Sequence, residues 1–297
     1  MPPWCVLSWR IMSTNVNSAS AAGESSPGEG GTASRSTLER IRLGGFYLLL
    51  LVALAMTVAF LRELLPLVVL GWTPAVGAEL GIHRLHAMGI AGVVAVILLG
   101  VFAQAYRPTA RVAAMWGALV TMTVATAGTL GYGVGRPEEV VPFFVVIGLL
   151  TLLHPAGRTV LERGASYSPA LLALIAVAAV PLLAFVVDQF ALTPNASDPH
   201  AVDGHYVMMA ALAVAPLAYG VFAALGFTGW RLAAWLAALS PLYHGLMSVA
   251  FPAQASSVGT MWGAAAIAWA VAFVLVAEYS RTVDVGATFR REVTKAS

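Results

Sequence analysis

Six histidines are the residues of this chain best suited to chemistry: His83, His86, His154, His200, His205 and His244. Imidazole is the commonest metal ligand, an axial ligand of haem and a proton carrier near neutral pH. His83 and His86 are three residues apart, so a helix sets them on one face. His200 and His205 flank the start of a long apolar run, and His244 lies inside another, just after Ser240-Pro241-Leu242-Tyr243. His154 precedes Pro155-Ala156-Gly157, a helix stop, and reads as a cap on a carboxyl end. Other chemistries lack their carriers. There is one cysteine, Cys5, and one lysine, Lys295, so neither a disulfide nor a retinal Schiff base inside an apolar run can form. The chain has no phosphate-binding glycine loop, zincin motif or Ser/His/Asp arrangement.

The elements that must position these histidines are set by composition. Of 297 residues, 59% are hydrophobic and 10% charged, and mean hydropathy is +0.83. A soluble domain is about a quarter charged. So few charges cannot cover a core this size, and long apolar runs recur from residue 44 to residue 278. The expected fold is an all-α integral membrane protein with the lipid bilayer as its surroundings. Eight transmembrane helices are expected near 44–61 (tilting on toward 71), 84–106, 112–134, 140–157, 168–188, 205–227, 232–252 and 259–278. Residues 1–43 are expected to be a disordered cytoplasmic tail, rich in Ser, Gly, Ala and Glu up to residue 34, and residues 282–297 a second cytoplasmic tail. Met12 is an alternative start.

Arginine placement orients the bundle. With the amino end inside, one side receives Arg35, Arg40, Arg42, Arg107, Arg111, Arg158, Arg163, Arg231, Arg281, Arg290, Arg291 and Lys295. The other receives Arg62, Arg84 and Arg136, beside Glu79, Glu138, Glu139, Asp198 and Asp203. The positive-inside rule then puts both termini in the cytoplasm of a plasma-membrane protein. It leaves no basic patch for nucleic acid.

Sliding the chain on itself by 120 residues aligns Gly100-Val101-Phe102-Ala103 with Gly220-Val221-Phe222-Ala223. The same shift aligns Arg111-Val112-Ala113-Ala114 with Arg231-Leu232-Ala233-Ala234, and Thr73-Pro74 with Thr193-Pro194. The loop matches are not what apolar composition alone produces. Two tandem, parallel four-helix repeats are therefore expected, 44–163 and 164–281.

A four-plus-four parallel duplication with His83-Arg84 opening the second span resembles the heme A synthase family in architecture. The chain departs from that family's pattern. Glu79 lies four residues before His83 rather than three, His205-Tyr206 stands where a second His-Arg pair is expected, and the cysteine pair of many members is missing. The resemblance covers architecture and one dipeptide, and carries over no catalytic residue.

The candidate cofactor-binding residues are His244, His205, His86 and His83. Haem or a metal is the group they could hold, since paired histidines at one depth on neighbouring helices suit either. Depth excludes a haem shared by His154 and His86, because His154 is about 20 Å further down the bundle. His244 is about 12 Å from its helix end, so a buried neutral imidazole there needs a partner: Tyr243, Ser240 or the Ala237 carbonyl freed by Pro241. Two function classes stand. One is a membrane redox protein using outer-side histidines with haem or metal. The other is a cofactor-free module, either a path for a neutral solute or a structural and partner-binding bundle.

Overall fold

A computed structural model describes residues 37–157, 159, 162 and 167–296, with backbone alone from 281 onward. Those residues are helical, with no strand among them. The expected disordered tail lies outside them up to residue 36. From Thr37, however, the chain is already helix, which runs on through Gly44-Gly45 into the apolar run behind them.

Among the described residues, seven helices are long and apolar enough to cross a membrane. They are α1 (Thr37–Phe60), the segment Pro74–Ala105, α5 (Val112–Tyr132), α7 (Pro169–Leu192), α9 (His205–Ala224), α10 (Trp230–Ala250) and α11 (Gly259–Ala296). Within Pro74–Ala105 lie α3 (Pro74–Leu80) and the main helix α4 (Arg84–Phe102), while α2 (Leu67–Leu70) precedes them. The expected eighth span is α6 (Pro137–Leu152), at 16 residues shorter than the usual crossing length. The first span does not tilt on toward residue 71. It stops at Phe60, and Pro66 and Gly71 break the next stretch into turns and the single turn of α2.

Helices α4, α5, α9 and α10 form the centre, with 67%, 67%, 72% and 61% of their apolar windows buried, against 22% for each of α1, α7 and α11. Small residues let the central helices approach closely, since lipid gives apolar side chains no reason to leave it. Gly117 on α5 lies against the ring of Tyr219, itself fully buried on α9. Gly92 on α4 lies against Tyr243 on α10, and Gly89 against Met209. Tyr219 donates to the Val96 carbonyl at 3.2 Å, tying α9 to α4.

The bundle has two ends. At one, Gln104 joins His154 (3.2 Å) and the Gly100 and Arg111 carbonyls, and Ala113 N–H reaches the Thr228 carbonyl. At the other, loops 61–83, 133–136, 193–204 and 251–258 converge. Gly135 and Gly204 touch backbone to backbone there, both with φ near +70°, and Gly135 N–H donates to the Val202 carbonyl at 2.9 Å. A side chain on either glycine would force these loops apart.

Candidate metal centre

Four of the six histidines meet at that second end, each delivered by a different local device. His83 closes the short 3-10 turn Gly81–His83, and His86 follows in the first turn of α4. Arg84 between them anchors the loops. It donates to the Gly71 carbonyl (2.9 Å) and lies over the Phe251 ring at 4.0 Å. Asp198 caps the one-turn helix α8 (Pro199–Val202) by accepting from the His200 backbone N–H, which fixes His200. Gly204, in left-handed conformation, turns the chain into α9 and sets His205 at its first position.

The rings pack closely: His83 to His200 4.4 Å, His86 to His200 4.5 Å, and His83 and His86 each 5.4 Å from His205, centroid to centroid. One nitrogen from each of His83, His200 and His205 lies within 4.8 Å of the others. His86 is fully buried beside them. Four buried ring nitrogens here have no protein partner: His83 Nδ1, His86 Nδ1, His200 Nε2 and His205 Nδ1.

Hydrogen bonds around the rim settle two tautomers. His200 Nδ1 is 2.9 Å from Asp198 Oδ1, and a carboxylate accepts, so Nδ1 carries the hydrogen and the neutral ring keeps its lone pair on Nε2. Ser256 Oγ donates to Gln189 Oε1 (2.7 Å), so it accepts from His86 Nε2 at 2.8 Å, and His86 Nδ1 is the bare atom. Each of these two imidazoles thus has one nitrogen tied to an outer acceptor and the other buried and unpaired. That is how proteins prepare histidines for metal. Asp198 also accepts from Tyr206 at 2.7 Å. The Tyr206 hydroxyl first, then the His200 ring and backbone N–H, hold the Asp198 carboxyl down at about 2 despite some desolvation.

The remaining histidines lie elsewhere. His244 is buried but does not join the four. Its Nε2 donates to the Ser256 carbonyl at 3.1 Å, and its ring packs on Phe185 at 5.3 Å. None of the three expected partners serves it: Tyr243 donates instead to the Val68 carbonyl (2.9 Å), and Ser240 Oγ has no partner. His154 sits at the far end, where its Nδ1 accepts from Ala156 N–H and its ring meets Phe46 edge-on. Of the expected set, the fold therefore brings together His83, His86 and His205, leaves His244 outside, and adds His200. The signal for His200 was Asp198-Pro199-His200, an acidic cap two residues ahead of an imidazole.

Comparison of the chain with protein-family models, with curated proteins and with solved structures finds no match in any of the three.

Proposed function

We propose that this is a membrane metalloprotein holding one late first-row transition-metal ion, of the copper or zinc kind, on His83, His200 and His205, with His86 in reach as a fourth ligand. One observation carries the reading: His83, His200 and His205 each bring a ring nitrogen within 4.8 Å of the others, and each of these rings, like His86 beside them, has a buried nitrogen without a hydrogen-bond partner among the described residues. Bare lone pairs in an apolar bundle are costly unless something positive sits among them. Metal–nitrogen bonds near 2.0–2.1 Å need donors about 3.4 Å apart, a contraction within reach of small ring rotations from 4.8 Å. Imidazole without thiolate or thioether suits Zn, Cu and Ni ions. An ion on three histidines keeps a position open for an outside ligand, which redox or hydrolytic chemistry requires.

The same geometry favours an ion over a haem held by two histidines, since three ring nitrogens crowd within 4.8 Å of one another. Purified, chelator-stripped protein is expected to take up one equivalent of Cu²⁺ or Zn²⁺. Alanine at His83, His200 or His205 should weaken uptake by tenfold or more. A Soret band in the untreated protein would move the reading to haem, and neither band nor uptake would leave the cofactor-free module.

Membrane placement rests on the same bundle. Helix α6 starts beside Val202 at the histidine end and is followed by His154, bonded to Gln104 at the other. A chain that joins both ends crosses between them, which supports eight spans. Two parallel repeats draw support from burial that recurs under the 120-residue shift: α1 with α7, α4 with α9, α5 with α10. The arginine asymmetry turns the histidine end outward and both termini to the cytoplasm. In a Cys5→Ser background, a cysteine at exposed Ser197 should be labelled from outside intact cells, and one at exposed Thr109 only after permeabilisation.

A further inference from the structure

A cavity of about 690 Å³ lies within the first half of the bundle, between α1, α4, α5 and α6, and it ends against His205. Its long wall is apolar. Ile90, Val94, Ile97 and Leu98 run down α4 for about 12 Å of helix, and Met122 and Phe143 face it from α5 and α6. Its rim is polar: Glu63, Arg136, Glu139 and Asp203 border it, and Glu63, 88% exposed, marks where it opens. Gly135 and Gly204 border it too, leaving a floor without side chains beside His205. His205 Nδ1 has no hydrogen-bond partner among the described residues. One nitrogen can serve the metal centre while the ring edge is reached from the cavity.

We propose that this cavity binds a neutral amphiphile with a flat hydroxyl-bearing ring and one long apolar chain, an alkyl or isoprenoid hydroquinone, whose hydroxyl oxygen accepts from the His205 ring N–H and whose chain lies along α4. The volume is within the range of small-molecule sites. The chain fits a wall without polar groups, and the ring fits the glycine floor. Charge selects the head. Arg136 is already paired with Glu139 at 2.9 Å and Glu63 with Arg62 at 3.7 Å, so the charge left over at the rim is the carboxylate of Asp203. That field repels phosphate and favours a hydrogen-bond donor. The proposal adds a ligand to the histidine end and does not require the metal.

The test uses whole protein, stripped with chelator, in phosphatidylcholine nanodiscs, and a decyl hydroquinone bearing a diazirine on its tail. Photolysis should label peptides containing Ile97, Met122 or Phe143 at one equivalent. Excess untagged decyl hydroquinone should remove the label, and phosphatidylglycerol should not. Val94→Trp, which fills the cavity, should reduce labelling at least tenfold. Should that variant fail to fold, the label map of the unaltered protein decides by itself. Label spread over the outward-facing Val177 and Leu183, label undiminished in folded Val94→Trp, or displacement by phosphatidylglycerol would each overturn the proposal. Metal titration of the same preparation reports on the metal centre separately, so the two readings fail independently.

Discussion

His86 and Ser256 are 170 residues apart in sequence, yet Nε2 of one donates to Oγ of the other at 2.8 Å. The same serine passes its hydrogen to Gln189 on α7 and takes one on its carbonyl from His244 on α10. Three helices are thereby fastened to one residue, which sits in left-handed backbone conformation at φ 61°. Ser256 thus holds the His86 ring as Asp198 holds that of His200.

Ser256→Ala removes the hydroxyl and leaves His86 Nε2 and Gln189 Oε1 without partners inside the bundle. Thermal denaturation in detergent should show a loss of about 1–3 kcal/mol. Copper or zinc affinity should fall as well, since the His86 ring is released. Unchanged values for both would mean that the loop does not brace the site.

Asp198→Asn tests the other brace. The amide keeps a hydrogen-bond acceptor for His200 but loses the charge that orients the ring and raises its basicity. Outer partners of metal-bound histidines typically contribute 10–100-fold in affinity, so calorimetric titration should show weakening in that range. Tyr206→Phe, which removes one bond to the same carboxylate, should have a smaller effect.

His244→Ala separates bracing from ligation. The metal stoichiometry should remain at one equivalent, because His244 bonds the Ser256 carbonyl rather than facing the cluster. Stability should fall by about 1–3 kcal/mol, read by thermal denaturation. Loss of stoichiometric binding in a folded variant would place His244 among the ligands.

What the sequence made legible here is tied to local rules, and what it hid depends on loops meeting. Apolar length identified the spans, though their limits shifted: α6 runs Pro137–Leu152 rather than 140–157, and α7 Pro169–Leu192 rather than 168–188. His83 and His86 could be paired from spacing alone. His200 could not be ranked above an ordinary interfacial residue, because its place depends on where the turn Asn195–Asp203 docks. His244 looked the most interesting for being deepest, but depth showed only that it needed a partner. The partner is a backbone carbonyl 12 residues later in a loop, which no periodicity encodes. The extent of α1 back to Thr37 was missed because hydropathy finds the membrane segment and not the helix that carries it.

Gly117→Ala probes the central packing. A methyl group there would run into the Tyr219 ring, which is fully buried and tied to α4. Overpacking of this kind costs about 1–3 kcal/mol, visible as a lowered melting temperature with metal stoichiometry unchanged. A variant as stable as the parent would mean that α5 and α9 can separate freely.

The brace at Ser256 also sets a time order on biosynthesis. The ribosome delivers His83 and His86 early and His200 and His205 in the second half, but the serine that completes the histidine shell arrives in the loop between the last two helices. The four imidazoles are therefore made before the residue that fixes His86, which gains that partner only once the loop between α10 and α11 is in place. The proposed ligands His83, His200 and His205 all precede α10, so a product truncated before it keeps all three and lacks the brace on His86.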